Sequence, residues 1–318
     1  MSAFLSVTAT MFHPMGFPVE IETDAPEIVA AAEQAWGRYS RFRAAEPVRI
    51  RAVVSDREES GGQTPRVEFD GAWMSITRSG ANYARADLST GHAEIHLTRE
   101  VAADADYVNY YFLKPLAYLL LAPRHYAFVH ASCVALRDRA VILCGEAFAG
   151  KTCLAYACAQ RGWTFLSGDA THLRHHSAEF YVVGRPFSIR FRESARALFP
   201  ELEAWPARVR PNGKASIEVE TKQLGLCTAS RAPASHLVFL ERRSSQHHSF
   251  TGGARIASMT KDEAIRRLDE AVFFGDAAIR RKQRATLAHF ASLPVVRLAY
   301  STLEGAEAAL RELSLGGA

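Results

Sequence analysis

The strongest chemical signal in this sequence is a run of consecutive residues: Gly145, Glu146, Ala147, Phe148, Ala149, Gly150, Lys151 and Thr152. They fit G-x-x-x-x-G-K-[ST], a loop whose glycines let backbone N–H groups turn inward and wrap phosphate oxygens. The lysine reaches the terminal phosphates, and the threonine hydroxyl is suited to ligate Mg²⁺. With Cys153 closing the segment, these residues are the expected nucleotide-binding stretch, and the chemistry is that of a nucleoside triphosphate.

Such a loop needs a strand before it and a helix after it. Ala140–Cys144 is a short apolar run, as a buried strand should be. Lys151 to Gln160 reads as a helix with Leu154, Cys158 and several alanines, and Gly162 is placed to end it. That order sets a helix N-terminus under the phosphates. Upstream, Ala127–Leu136 reads as a strand forming a hairpin with Ala140–Cys144 around Arg137-Asp138, which carries His130 opposite Gly145. A histidine there contacts the γ-phosphate, orients the nucleophile, or is satisfied by nearby backbone.

Downstream, Trp163–Leu166 is a second apolar strand. A right-handed crossover lays it parallel to the loop strand, or one strand removed, so its C-terminal end faces the same crevice. Asp169 stands at that end, able to hold Mg²⁺ or to accept a proton from an attacking hydroxyl, or else to cap a turn. His172, His175 and His176 follow without companion ligands, so a solvated loop is expected rather than a metal site.

The stretch from about Val129 to Ala170 resembles the catalytic domain of bacterial HPr kinase/phosphorylase, and more closely the HPr-kinase-related proteins of that superfamily. His130 keeps the family's offset from the first loop glycine, and the family's Asp-Asp pair falls on Gly168 and Asp169. The resemblance implies a P-loop kinase fold distantly similar to phosphoenolpyruvate carboxykinase, with phosphoryl transfer from Mg-ATP to a hydroxyl. Two departures accompany it. Gly168 replaces the first aspartate, so Asp169 carries the carboxylate chemistry alone, and Thr152 stands for the usual serine. The family's later signature segment is missing, which argues against HPr as substrate. Related kinases act on serine in peptide natural products, and HPr kinases assemble as hexamers, so a peptide acceptor and a homo-oligomer are both implied.

The chain has 318 residues, 48% hydrophobic and 23% charged, enough for one large or two medium domains. Net charge is +4 and the pI is near 8.8, without the basic stripe that nucleic-acid binding needs. The five cysteines, an odd number, lie mostly in expected strands or in the helix after the loop, which fits reduced thiols and a cytoplasmic location. The N-terminus lacks the build of a signal peptide. Tyr107–Ala122 is apolar but carries Asn109, Lys114 and Pro115 and is too short to span a bilayer, so no membrane partner is expected.

Two domains are expected, an N-terminal α+β support or recognition domain over residues 1–104 and a P-loop α/β domain over 105–318. In the first, Pro26–Tyr39 is helical, with Asp24 or Thr23 as cap, and closely spaced strands imply hairpins: Val48–Val54, Val67–Phe69, Trp73–Thr77, Asn82–Asp87 and Ala93–Leu97. Tyr107–Leu121 reads as a core-packing helix. Beyond Asp169, Tyr181–Val183 is a strand, and Phe187, Ile189 and Phe191 alternate with Ser188, Arg190 and Arg192. Either arginine could compensate phosphate charge, or the segment is an exposed edge strand. Lys214 and Glu218, on another alternating segment, could line the crevice. Leu237–Leu240, a helix over Thr260–Phe274, Val295–Leu298 and Leu303–Leu313 complete the chain.

The favoured function is therefore an ATP- and Mg²⁺-dependent kinase acting on a hydroxyl of a peptide, protein or small molecule. Lys151 steadies the β- and γ-phosphates, Thr152 holds the metal, Asp169 holds the metal or takes the proton, and His130 assists. The alternative is a regulator that binds nucleotide without transferring phosphate, favoured by the missing aspartate. A nucleic-acid-linked ATPase is disfavoured by charge.

Overall fold

The computed structural model describes residues 8–42, 44–58, 64–175, 179–242, 253–270, 272 and 274–316. It is a mixed α/β protein of two compact units, one comprising Met1–His125 with Phe273–Lys282 and the other Tyr126–Val272 with Gln283–Ala318. Among the described residues no helix is long and apolar enough to cross a membrane.

The first unit holds a seven-stranded sheet built from β1 (Thr8–Phe12), β2 (Val19–Thr23), β3 (Val48–Ser55), β4 (Arg66–Asp70), β5 (Trp73–Thr77), β6 (Tyr83–Asp87) and β7 (His92–Thr98). The order is β1-β2-β3-β7-β6-β5-β4, parallel at β2–β3 and β3–β7 and antiparallel elsewhere. In β3 the alternation is plain: Val48, Ile50 and Ala52 are buried, while Arg49 and Arg51 are exposed. Helix α1 (Pro26–Trp36) buries Ile28, Ala31, Ala32 and Trp36. Its N-cap is Ala25, with no side-chain cap; Thr23 Oγ1 instead accepts the Ala25 N–H, at 3.1 Å. After α2 (Arg99–Ala102) and α3 (Ala105–Val108), a π-helical stretch, Asn109–Leu113, leads into α4 (Lys114–His125). The helix expected over Tyr107–Leu121 is thus interrupted by a π segment and runs on past Pro123. Phe112, Leu113, Leu116, Leu120 and Leu121 are buried, the core role expected of it.

The second unit contains β8 (Tyr126–Val129), β9 (Ser132–Leu136), β10 (Arg139–Cys144), β11 (Thr164–Ser167), β12 (Thr171–Arg174), β13 (Tyr181–Val183), β14 (Ser188–Phe191), β15 (Arg208–Val209), β16 (Ala215–Glu220), β17 (Arg231–Arg242), β18 (Ala254–Ser258) and β19 (Val295–Tyr300). Its helices are α5 (Lys151–Gln160), α6 (Lys261–Asp269), α7 (Ala277–Phe290), which starts in residues of the first unit, and α8 (Leu303–Leu315). Among the described residues nine strands form one sheet, with the path β11-β9-β10-β17-β13-β12-β8, and with β19 on β17 and β18 on β19. A separate small sheet has the order β14-β16-β15.

From Ala140 to Cys144 strand β10 is apolar because both its faces are covered. Val141 and Leu143 join a core with α5 and α8, whereas Ala140, Ile142 and Cys144 join another with Leu268 of α6 and Leu287 and Phe290 of α7. Strands β10, β17 and β19 run parallel, and β11 runs with them on the far side of antiparallel β9. This matches the one-strand-removed placement expected for Trp163–Leu166. The C-terminal ends of these four strands therefore share one edge of the sheet, where ligands of open α/β sheets bind.

Two expectations are corrected here. The histidine-rich segment after Asp169 is no solvated loop: Thr171–Arg174 is a strand, with His172 and His175 buried, while His176 lies outside the described residues. His172 packs edge-on against Tyr126 and its Nδ1 lies 3.3 Å from the Val183 carbonyl. Strand β12 was hidden because histidine and arginine alternate with threonine and leucine there, and polar side chains in a buried strand mimic a loop. The helix expected over Thr260–Phe274 ends at Asp269, and α7 had not been expected.

Burial of His172 lowers its folded-state pKa to about 3 from 6.5, desolvation first and Arg185 second. A base with a depressed folded value destabilises the fold once the unfolded chain begins to take up the proton. The penalty is nil above 6.5, grows as pH falls from there to about 3, and is complete below. It amounts to about 2 kcal/mol at pH 5 and at most about 5 kcal/mol in full. His172→Gln is expected to flatten the wild-type loss of stability between pH 7 and pH 5, measured by urea denaturation. An unchanged difference between the two pH values would assign the acid sensitivity to other groups.

Candidate functional site

The hairpin that delivers the glycine loop has the expected register, with Leu136 facing Arg139 and Ser132 facing Leu143. Arg137 and Asp138 both have positive φ, 49° and 62°, the mirror-image turn that suits the twist of a two-residue hairpin. The ladder ends at Ser132, however. The strand expected over Ala127–Leu136 is two strands broken at His130-Ala131, so His130 is not paired across from Gly145. Its Nδ1 instead lies 2.9 Å from the Asp169 carbonyl oxygen, on the turn after β11. As a donor to that carbonyl, Nδ1 carries the proton of a neutral ring and leaves Nε2 as the acceptor. Desolvation, then the nearby Lys151 charge, lowers the His130 pKa and favours that neutral form.

Helix α5 begins at Lys151 with Gly150 as its N-cap, in the left-handed region at φ 86° and without a side-chain cap. The first-turn N–H groups have no partner within a helix, so they point toward the loop. Lys151 is 7% exposed, and its Nζ donates to the carbonyls of Gly145 at 2.7 Å and Glu146 at 2.9 Å. Desolvation lowers its pKa. Ala149 N–H is spent inside the loop, on the Glu146 carbonyl at 3.2 Å. Glu146, Ala147 and Phe148 are exposed, whereas Cys153 is partly buried against the α5 core. Desolvation raises the Cys153 pKa, an effect opposed by Arg242.

From β19, Tyr300 Oη donates to the Ala149 carbonyl at 2.7 Å and so braces the loop from the side. A Cβ at Gly150 would run into that hydroxyl, and positive φ already disfavours a side chain there. Gly150→Ala is expected to cost about 2 kcal/mol in chemical denaturation, with roughly half recovered by adding Tyr300→Phe, since left-handed strain alone is ~1 kcal/mol. No recovery in the double variant would mean the backbone, not Tyr300, sets the requirement.

The turn after β11 completes the constellation. The Gly168 carbonyl accepts from Thr152 Oγ1 at 2.9 Å and from Ser132 Oγ through a short bond. The Asp169 carboxylate Oδ2 lies 3.6 Å from Arg190 Nη1. Arg190 also donates through Nε and Nη2 to Glu218, at 3.3 and 3.2 Å, and Glu218 accepts from Ser188 as well. Strand β14 lies at the edge of its small sheet, as expected, but it is half-buried to buried rather than exposed. Its buried face is Ile189 and Phe191, while its polar face bears Arg190 on Asp169, and Arg192 follows it. Gly168 is buried, and a Cβ there would make ordinary contacts with Thr152, Phe165 and Ile189. Lys214 makes no side-chain ion pair or hydrogen bond to any of these groups.

Lys151, Thr152, His130 and Asp169 are thus tied into one hydrogen-bonded patch through the backbone of residues 145–146 and 168–169. Ser132, Tyr300 and the carboxylate role of Glu218 went unnoticed in the sequence. Only Tyr300 carried a readable signal, as the end of a strand aimed at the shared edge. Among the described residues no cluster of three metal-ligating His, Cys, Asp or Glu side chains is present.

Among solved structures, the chain is similar to the Hpr(Ser) kinase/phosphatase from Coxiella burnetii, with a TM-score of 0.34 and 12% identity over 59% of this chain and 91% of that one. That is a distant structural relationship. No family model matches the chain, and no curated protein matches it.

Proposed function

We propose that this chain is an ATP- and Mg²⁺-dependent phosphotransferase that phosphorylates a hydroxyl, serine being the favoured acceptor, in a peptide, protein or small molecule. The observation that carries the reading is the loop itself: an uncapped helix N-terminus beside a nearly buried lysine whose ammonium is folded onto loop carbonyls. A largely desolvated cation beside a helix start without a side-chain cap fits a polyphosphate.

The residues also fit the metal. Thr152 Oγ1 uses its proton toward Gly168 and keeps lone pairs for a cation, and the Asp169 carboxylate is close by on the same turn. When bound, Mg²⁺ would neutralise charge on the phosphate oxygens.

In the proposed reaction the acceptor oxygen forms a bond to the γ-phosphorus as the bond to the β–γ bridging oxygen breaks, and ADP leaves with that oxygen. Lys151 neutralises charge on the β- and γ-oxygens. Asp169 receives the acceptor proton, and His130, fixed in one tautomer by the Asp169 carbonyl, orients the hydroxyl through Nε2. Most of the rate comes from positioning and charge neutralisation, which these groups supply without covalent chemistry.

A second reading is a nucleotide-binding regulator without transfer. It is favoured by the single carboxylate on the turn, which in this arrangement is paired with Arg190. Calorimetry with Mg-ATP, followed by ADP release with and without serine and serine-bearing peptides, separates the two. Acceptor-stimulated ADP release supports the kinase, binding without turnover supports the regulator, and no binding overturns both.

A further inference from the structure

Phe148 occupies a conformation that disfavours it twice. Its φ is 68°, in the left-handed region where a Cβ crowds the following carbonyl. The residue is also 73% exposed. Neither folding nor burial accounts for a phenylalanine at this point, where glycine would sit without strain.

What the ring does touch is Arg192, whose guanidinium carbon lies 3.9 Å from the ring centroid, the geometry of a cation over an aromatic face. Arg190 and Arg192 stand two residues apart at the end of β14, and they end differently. Arg190 is consumed by Asp169 and Glu218. For Arg192, no carboxylate partner is found among the described residues. Its guanidinium carbon sits over the Phe148 ring, and among the described residues its N–H groups make no hydrogen bond.

We propose that Arg192 contacts the terminal phosphate of the bound nucleotide, and that Phe148 is the positioning residue that holds its guanidinium at the loop. A guanidinium held over a ring face keeps its fork of donors available, which suits phosphate oxygens. The left-handed turn is what aims the ring at β14. This rests on the nucleotide-binding reading above and adds a residue to it.

The test compares Mg-ATP with Mg-ADP binding, by calorimetry, on the whole protein. The two ligands share every phosphate except the terminal one. Arg192→Ala is expected to weaken ATP binding at least about 10-fold while changing ADP binding less than about 2-fold, the size of one charge-assisted contact. Phe148→Gly, which relieves the backbone, should reproduce the selective loss of ATP affinity, and Phe148→Tyr, which keeps the aromatic face, should restore it. Equal loss of ATP and ADP, or no loss, in Arg192→Ala would overturn the proposal and leave the nucleotide reading standing. Loss in Arg192→Ala with unchanged ATP affinity in Phe148→Gly would overturn the role given to Phe148. Binding of neither nucleotide by the wild type would overturn the nucleotide reading and this proposal with it.

Discussion

Lys151→Ala should lower acceptor-dependent ADP release by about 10²-fold or more, because the substitution removes the one ammonium aimed into the loop. The expected fold cost is small. The side chain leaves behind two loop carbonyls that water can reach once the ammonium is gone, and the surrounding α5 core does not use the lysine's charge. Thermal unfolding should therefore shift little while nucleotide affinity falls. Lys151→Arg is not expected to rescue, since a planar fork replaces a compact point charge seated on two loop carbonyls. A Lys151→Ala protein with wild-type turnover would remove the loop from the mechanism altogether.

The second large effect is expected at Asp169. Asp169→Asn keeps the size of the side chain but removes both the charge and the proton acceptor, so transfer should fall by about 10²-fold or more. ATP binding should be largely preserved. The lost ion pair with Arg190 is partly exposed at both ends, and such pairs are worth only about 0–1 kcal/mol, so the fold should persist. Arg190 also remains held by Glu218. Single-turnover measurement with a responsive acceptor separates chemistry from binding. Activity near the wild-type level would make Asp169 structural and put the proton acceptor elsewhere.

The strand, loop and helix from Ala140 to Gln160 were legible because periodicity, glycine spacing and apolar runs all report local structure, and there the local signals agree. The hairpin register was legible for the same reason: a two-residue turn leaves one way to pair β9 with β10. What the sequence hid was long-range. His130 leaves its strand because the strand breaks at that residue, and the carbonyl that satisfies it belongs to Asp169, in a turn beyond α5. Nothing near His130 announces that partner. The full length of β17 was likewise hidden: the strand read as Leu237–Leu240 begins at Arg231, and Arg231 to Pro233 pair with β13. Arg190 was noticed as a possible phosphate partner and Glu218 as a crevice candidate, but only the pairing of β14 with β16 sets them side by side.

The turn that presents Asp169 is held by its backbone carbonyls and by a Ser167–Thr171 side-chain bond across it. Ser132 from β9 and Thr152 from α5 fasten the Gly168 carbonyl, and His130 fastens the next one. The Asp169 carboxylate adds to this a partly exposed contact with Arg190. On the proposed reading, exchanging the functional group at position 169 is expected to leave the turn standing. A phosphotransferase, a slow nucleotide hydrolase and a silent nucleotide sensor would then lie a single codon apart on the same fold.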